Sequence, residues 1–376
     1  MSRSVPDCLV IGAGLLGMLS ALELRQRGLS VLVLERGRVG AESSWAGGGI
    51  LSPLYPWRYP PAVTRLAAWS QQRYPVLARE LAEATGIDPQ WTASGLLILE
   101  QEEADEALAW ARSWQQEVTR LDGAACRELE PALGRVPDHA LWLPGVAQIR
   151  NPRLIQSLRQ RLAALGVVIR EGTEVQALSL RDGRIQGVAV GSGERIAAPR
   201  VVVAGGAWSG RLLRSVGIDL QVYPVKGQML LYKAPPGRPG HIVMRHGRYV
   251  IPRRDGHVLA GSSVEKAGFD KSPSQAVRQE LQAAVRELVP SLAGCPLLRH
   301  WAGLRPGCRD GVPFIGSVPP FQGLYVNTGH FRNGVVLAPA SARLLADILT
   351  GEPPLLDPAP YDPAARCQGV ADFLSV

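Results

Sequence analysis

The sequence predicts an α/β fold in which a parallel, helix-flanked sheet is interleaved with an antiparallel one. Three observations predict it. Residues 8–36 run strand, glycine turn, helix, strand; residues 200–209 repeat an apolar run ending in paired glycines; and from residue 221 strands follow one another with no helix between them. Parallel neighbours need crossover helices and antiparallel neighbours need only turns, so the two patterns belong to different layers. The division is discontinuous: residues 1–84, 145–220 and 302–376 form the parallel unit, and residues 85–144 and 221–301 the antiparallel one.

The first stretch reads CLVIGAGLLGMLSALELRQRGLSVLVLER, with Gly12, Gly14 and Gly17 spaced G-x-G-x-x-G between an apolar strand and a helix. This is the Rossmann-like dinucleotide fingerprint in its full context. Gly12 permits the sharp turn, Gly14 lets a pyrophosphate approach the backbone, and Gly17 lets helix and strand pack closely. The helix N-terminus offers free N–H groups to phosphates. Glu35 stands about 20 residues on, where a carboxylate accepts from ribose hydroxyls. The motif by itself does not separate FAD from NAD.

Composition limits the function classes. The chain has 376 residues, 46% hydrophobic and 20% charged, with a net charge of +8. Its basic residues are scattered rather than gathered in a run, which argues against a nucleic-acid tail and for a solvated surface with a few ligand-binding arginines. Five cysteines, Cys8, Cys126, Cys295, Cys308 and Cys367, are odd in number and widely spaced, so neither a disulfide framework nor a metal site is expected. The first strand leaves no room for a signal peptide and no apolar run is long enough to span a bilayer, which points to a cytoplasmic enzyme without a membrane partner.

In chain order, residues 37–53 form a Ser/Gly-rich loop too glycine-dense for a helix. Gly47, Gly48 and Gly49 invite close approach by a bulky ligand, and Ser43 and Ser44 can donate to phosphate or cap a helix. Helix is expected at 61–84, strand at 94–100, helix at 102–119 and a short helix at 122–133. A strand at 140–143 leads to a helix from Asn151, with Asn151 as cap and Pro152 at its first position. Strands at 167–170, 174–180 and 185–190 then resume the nucleotide-binding sheet. The strand ending at Gly205 and Gly206 is a second place where a cofactor closes in. Strands at 221–233, 248–253 and 258–263, a helix at 275–288, a strand at 324–327 and a final helix from Asn333 or Gly334 to Gly351 complete the pattern. The proline-rich tail after Pro353 is expected to be loosely ordered.

The glycine fingerprint ending in Glu35-Arg36, the SSWAGGGIL loop, PVKGQ (224–228), Tyr249 in RYVIPR, WAGLRPG (301–307) and GHFRNG (329–334) lie in one order along nearly the whole chain. On these motifs the chain resembles the glycine-oxidising branch of the FAD-dependent D-amino-acid oxidase family. The resemblance implies a fold of the D-amino-acid-oxidase/glutathione-reductase type, with non-covalent FAD. It places FAD contacts on Gly12, Gly14, Leu15, Leu16, Gly17, Glu35, Arg36, Ser43, Ser44, Gly48, Gly49, Ile50, Val175 and Gly205, then His330, Phe331, Arg332, Asn333, Gly334, Val335 and Val336. Substrate contacts fall on Tyr249, Arg305 and Arg332. It further implies oxidative deamination of glycine, sarcosine and small D-amino acids by O2, with hydrogen peroxide released and the imine supplied to thiamine thiazole synthesis. A homo-oligomer, by resemblance a tetramer, is also implied.

The residues suit that chemistry. An arginine fork matches a carboxylate with two parallel hydrogen bonds, which makes Arg305 the expected clamp, with Tyr249 as a further donor. Arg332 contacts substrate or holds its loop over the flavin. No side chain acts as acid or base, since hydride transfer needs orientation and an electron sink. The final helix N-terminus can stabilise negative charge on the reduced flavin. Cys308 does not match the expected position for covalent attachment. Val264 and Ile50 stand where methionines can line the substrate pocket in this branch. Alternatives are a dehydrogenase of the same fold passing electrons to a quinone, and a flavin module linked to tRNA modification.

Overall fold

A computed structural model describes residues 5–100 and 102–366. The apolar run Cys8–Ile11 is fully buried and sits inside a six-stranded sheet. Its neighbours are Val31–Leu34 on one side and Val201–Val203 on the other, both parallel, in the register Leu9↔Leu32 and Leu9↔Val201. Val168–Arg170 extends one edge; Leu324–Thr328 and then the antiparallel Phe314–Ser317 extend the other. The buried strands Cys8–Ile11, Val31–Leu34 and Val201–Val203 read as continuous Val, Leu and Ile runs, which makes them legible in the sequence, whereas Phe314–Ser317 is not among the strands expected from it.

The helix Leu15–Gln26 packs against this sheet and against the last helix, Gly334–Thr350. A buried ion pair joins the two helices. Arg27 donates to Asp347 at 2.6 Å, and the Asp347 side chain, fully buried, also accepts from Arg343 and from the Leu355 amide. Tyr74, on the long helix Pro61–Thr85, donates to the Val335 carbonyl at 2.5 Å and fastens the start of the last helix from the other side.

The second layer is an eight-stranded, mostly antiparallel sheet. Its order is Leu297–Gly307, Tyr223–Lys233, His257–Gly261, Arg248–Pro252, Ile242–Arg245, Leu96–Ile98, His139–Leu143 and Thr119–Asp122. The helix Gln275–Leu288 covers it, starting at a Ser274 cap that accepts from the Val277 amide.

Several expectations are corrected here. Residues 174–190 do not rejoin the parallel sheet: Val175–Arg181 and Arg184–Val190 pair with Arg195–Ala197 in a separate three-stranded antiparallel sheet, and only Val168–Arg170 returns. The Ser/Gly loop contains a helical turn, Ser43–Ala46. The helix expected at 102–119 ends at Trp114, and Thr119 begins a strand. The boundary drawn at 301/302 falls inside the strand Leu297–Gly307, which belongs whole to the antiparallel sheet. Asn151 is no cap; the residue before the helix is Arg150. The tail to residue 366 is pinned: Tyr361 is fully buried and donates to the Ala62 carbonyl, and Arg366 pairs with Asp310. Cys367 lies outside the described residues.

Asp347→Ala removes the shared acceptor of Arg27, Arg343 and the Leu355 amide while Arg27 keeps Glu23 and Glu352, so it is expected to cost about 1–3 kcal/mol of stability. Arg343→Ala, whose arginine is 42% exposed, is expected to cost under about 1 kcal/mol. Urea unfolding of the two variants checks the contrast.

Candidate cofactor and substrate site

A cavity of about 590 Å³ runs between the two sheets. One end is built by the first glycine turn. Gly12 has φ +103°, and a Cβ there would lie 2.6 Å from the Ala204 carbonyl oxygen, so the turn and the neighbouring strand end touch through bare backbone. Glu35 is held by this turn: its carboxylate accepts from the Ala13 amide at 2.9 Å and the Gly37 amide at 2.8 Å. The amide of Leu15, first in its helix, donates to Ser44 Oγ at 2.8 Å, so a side chain from a distant loop caps the helix. Leu16 and Gly17, next in the helix, have no helical carbonyl to donate to.

The middle is walled by the Gly47–Gly49 loop. Arg253, 6% exposed, donates to the Gly48 carbonyl at 2.7 Å and to the Ile149 carbonyl at 3.0 Å. Burial, with Arg150 adding to it, pushes the Arg253 guanidinium down to about 9, which leaves it charged at neutral pH. Asn151 donates to the carbonyls of Ser44 and Gly47. A Cβ on Gly49 would meet the Ile149 oxygen at 2.1 Å, so the loop lies flat on that segment.

The far end is a face of the antiparallel sheet. Tyr249, Gly261, Met229 and Trp301 form one row across four strands, and Val225 and Arg305 form a parallel row. Glycines Gly227, Gly261 and Gly303 make this face a trough. A Cβ on Gly227 would lie 2.1 Å from Arg305 Nη1, so the arginine side chain lies across the glycine. The guanidinium is braced from below: Nη1 donates to the carbonyls of Ser263 (3.1 Å) and Lys226 (3.3 Å), and Nη2 to Ser262 Oγ (2.9 Å). Burial lowers its pKa; Tyr249 opposes that shift and the nearby Arg332 adds to it. Arg332 lines the same cavity and has no ion pair among the described residues. It follows Phe331, whose φ of +46° is a left-handed conformation uncommon for a side chain of this size. His330 Nε2 is 3.0 Å from Ser341 Oγ, and full burial pushes the imidazole down to about 3, so it is neutral and unsuited to acid–base work.

The cavity brings together most residues named from the sequence. Gly12, Gly14, Leu15, Leu16, Glu35 and Arg36 line it, as do Ser43, Ser44, Gly48, Gly49 and Ile50, then Val175 and Gly205, and finally His330, Phe331, Gly334 and Val335. Tyr249, Arg305 and Arg332 line it too. Three do not. Gly17 is set back, where a Cβ would lie 1.9 Å from the Gly12 oxygen, and its role is helix packing. Asn333 and Val336, at the start of the last helix, are buried and absent from the cavity wall. Val264 is 53% exposed and is not among the residues lining the cavity. Cys308 is absent from the wall; its thiol donates to the Gly329 carbonyl at 2.9 Å. Sequence reasoning missed Glu42, Trp208, Met229, Arg253 and Asn151. The Arg36 guanidinium stacks 3.6 Å over the Trp208 ring and pairs with Glu42.

The cavity fits FAD. It is long, and bare backbone faces it at Gly14 and Gly205, where a Cβ would find no backbone neighbour closer than 3.7 Å. Two lining polar atoms, Ser209 Oγ and Asn327 Oδ1, are buried without a protein partner. Two helix N-termini open on it.

Comparison with known proteins agrees. A family model described as FAD dependent oxidoreductase matches residues 7–348. The chain is 51% identical to glycine oxidase of Pseudomonas aeruginosa over 95% of this chain and 98% of that one. It is 32% identical to the bifunctional protein ThiO/ThiG of Synechocystis, over 92% of this chain and 52% of that protein. The crystal structure of glycine oxidase from Geobacillus kaustophilus superposes with a TM-score of 0.91 at 31% identity, covering 96% of this chain and 98% of that one.

Two outcomes follow. Arg253→Met is expected to free the Gly48 carbonyl and weaken FAD binding by roughly tenfold or more, measured as flavin fluorescence released on dilution. Because the His330 pKa is depressed in the folded state, the unfolded chain binds the extra proton between pH 6.5 and about 3. Stability is therefore present above pH 6.5 and falls below it by about 1.4 kcal/mol per unit from this residue. Denaturant melts at pH 6 and 5 are expected to show a shallower loss for His330→Gln than for the native chain.

Proposed function

The chain belongs to the FAD-dependent oxidoreductase family, and from that premise we propose that it oxidises glycine, with sarcosine and small D-amino acids as further substrates. The products are the imine, which hydrolyses to the 2-oxo acid, and hydrogen peroxide from O2. The observation that carries this reading is the trough holding Tyr249, Arg305 and Arg332 at one end of the cavity. In this reading the antiparallel sheet is the substrate-binding unit.

Gly12, Gly14, Leu16 and Glu35 would hold the adenosine diphosphate end of non-covalent FAD, and the segment His330 to Val335 its far end. Bound FAD supplies the two-electron acceptor. The chain supplies orientation. Arg305 spends three hydrogen bonds on the scaffold, and the N–H groups left over, Nε among them, grip the carboxylate. Tyr249 donates its hydroxyl to the same group. The wall of Ile50, Leu54 and Met229 leaves room for a small α-substituent and keeps water from the reacting carbon. No proton relay is needed from the protein: the cavity's acids, Glu35, Glu42 and Glu174, come from segments outside the sheet that carries Tyr249 and Arg305.

The glycine oxidase and ThiO/ThiG relatives support a place in thiamine biosynthesis, with the imine as the product passed on. A cytoplasmic homo-oligomer belongs to the same reading; among the described residues no helix is long and apolar enough to cross a membrane.

The test is anaerobic titration of the purified protein with glycine. Flavin absorbance is expected to bleach and, on admitting air, to recover with release of peroxide. Absence of bleaching with glycine, sarcosine and D-alanine would sink the proposal, and dye reduction without peroxide would make the protein a dehydrogenase. Arg305→Lys keeps the charge but loses the fork, and is expected to lower kcat/KM for glycine by roughly 100-fold. Tyr249→Phe is expected to act mainly on KM, by roughly tenfold.

A further inference from the structure

Among the described residues, Met229 is the one sulfur-bearing side chain lining the cavity. The chain has four methionines. Met18 and Met244 are fully buried in the cores, away from the cavity wall, and Met1 lies outside the described residues. Met229 is seated by the sheet register: Gly261 lies between it and Tyr249 in the cross-strand row. A Cβ on Gly261 would be 2.2 Å from the Met229 sulfur, so the thioether fills the space the glycine leaves. There it accepts the Tyr249 hydroxyl at 3.5 Å. A weak acceptor thus holds the hydroxyl that the substrate carboxylate is to take.

We propose that Met229 is a site of turnover-linked oxidation, converted to the sulfoxide by hydrogen peroxide released in the same cavity. The proposal rests on the peroxide-forming reading above. The sulfur lone pair attacks one peroxide oxygen and forms an S–O bond. The O–O bond breaks, and the second oxygen leaves with both protons as water. Sulfur is oxidised by two electrons and peroxide is reduced by two. The sulfoxide oxygen is a far stronger acceptor than the thioether and makes the side chain polar. It competes with the substrate carboxylate for the Tyr249 hydroxyl, and the slot over Gly261 has no room for it, so the side chain must move into the cavity. Substrate binding weakens while the flavin stays in place.

Holoenzyme is turned over with glycine in air, with catalase in the medium, then digested and its peptides weighed. One added oxygen on the Met229 peptide is expected to grow with turnovers, while the Met18 and Met244 peptides stay unmodified. KM for glycine is expected to rise by roughly tenfold, the loss of one hydrogen bond to a carboxylate, with flavin content unchanged. Met229→Leu, a volume-conserving change, is expected to lose its own starting rate several-fold more slowly. Inactivation with Met229 intact, or complete protection by catalase outside the enzyme, overturns the proposal. If a peroxidase-coupled assay finds no peroxide with glycine, the functional reading fails separately. Added peroxide on the resting holoenzyme then decides the site apart from turnover: oxidation of Met229 ahead of Met18 and Met244 upholds Met229 as the peroxide-accessible sulfur, and equal or absent oxidation overturns it.

Discussion

Everything in this structure depends on backbone that is bare where two sheets face a common ligand. A cavity of about 590 Å³ cannot be opened inside a close-packed interior by accident, because voids lose dispersion contacts and collapse. Here it is opened by leaving out side chains. Gly12, Gly14 and Gly205 do so beside the parallel sheet, Gly48 and Gly49 on the intervening loop, and Gly227 and Gly303 on the antiparallel sheet. A Cβ would meet a backbone carbonyl at Gly12 and Gly49, the Arg305 guanidinium at Gly227 and a side-chain carbon at Gly48 and Gly303. The ligand completes the packing.

That construction explains the electrostatics. Arg305 lies in a low-dielectric wall with Arg332 near it and no ion-pair partner for either among the described residues; burial is costly to its charge, and Tyr249 and Glu265 oppose that effect only in part. Backbone carbonyls of Lys226 and Ser263 offset part of the cost by dipole alone. Had Arg305 been balanced by an internal aspartate, the protein would be calmer and the fork already occupied.

Local chemistry was legible in the sequence and long-range geometry was not. The Cys8–Ile11 strand, the glycine turn, Glu35 and the last helix could be read because each is fixed by neighbours within about a turn or strand. The strand Leu297–Gly307 was not assigned, since its Gly and Pro residues argue against a strand, and pairing with Tyr223–Lys233 overrides that preference. Residues 174–190 have the same hydropathy whether they join the parallel sheet or form their own, and only pairing decides. Arg253 and Asn151 were missed because their partners, the carbonyls at Gly47 and Gly48, lie more than a hundred residues away. Alternation of glycine at 303, 301-facing Trp and Arg305 was a usable signal: residues two apart share a face, and a glycine beside an arginine there leaves the arginine room to lie down.

The same reasoning separates anchoring from selection. At the first end the polar groups already have strong partners: the Glu35 carboxylate accepts from the Ala13 and Gly37 amides, and the Leu15 amide donates to Ser44 Oγ. At the far end, the Tyr249 hydroxyl bonds to a thioether, an acceptor weak enough to be displaced, and Arg332 has no ion pair among the described residues. Groups held weakly in the free protein are those that can turn to a substrate at small cost. A rigid end and an adjustable end of one cavity therefore come from one principle, the strength of the partner each polar group already has.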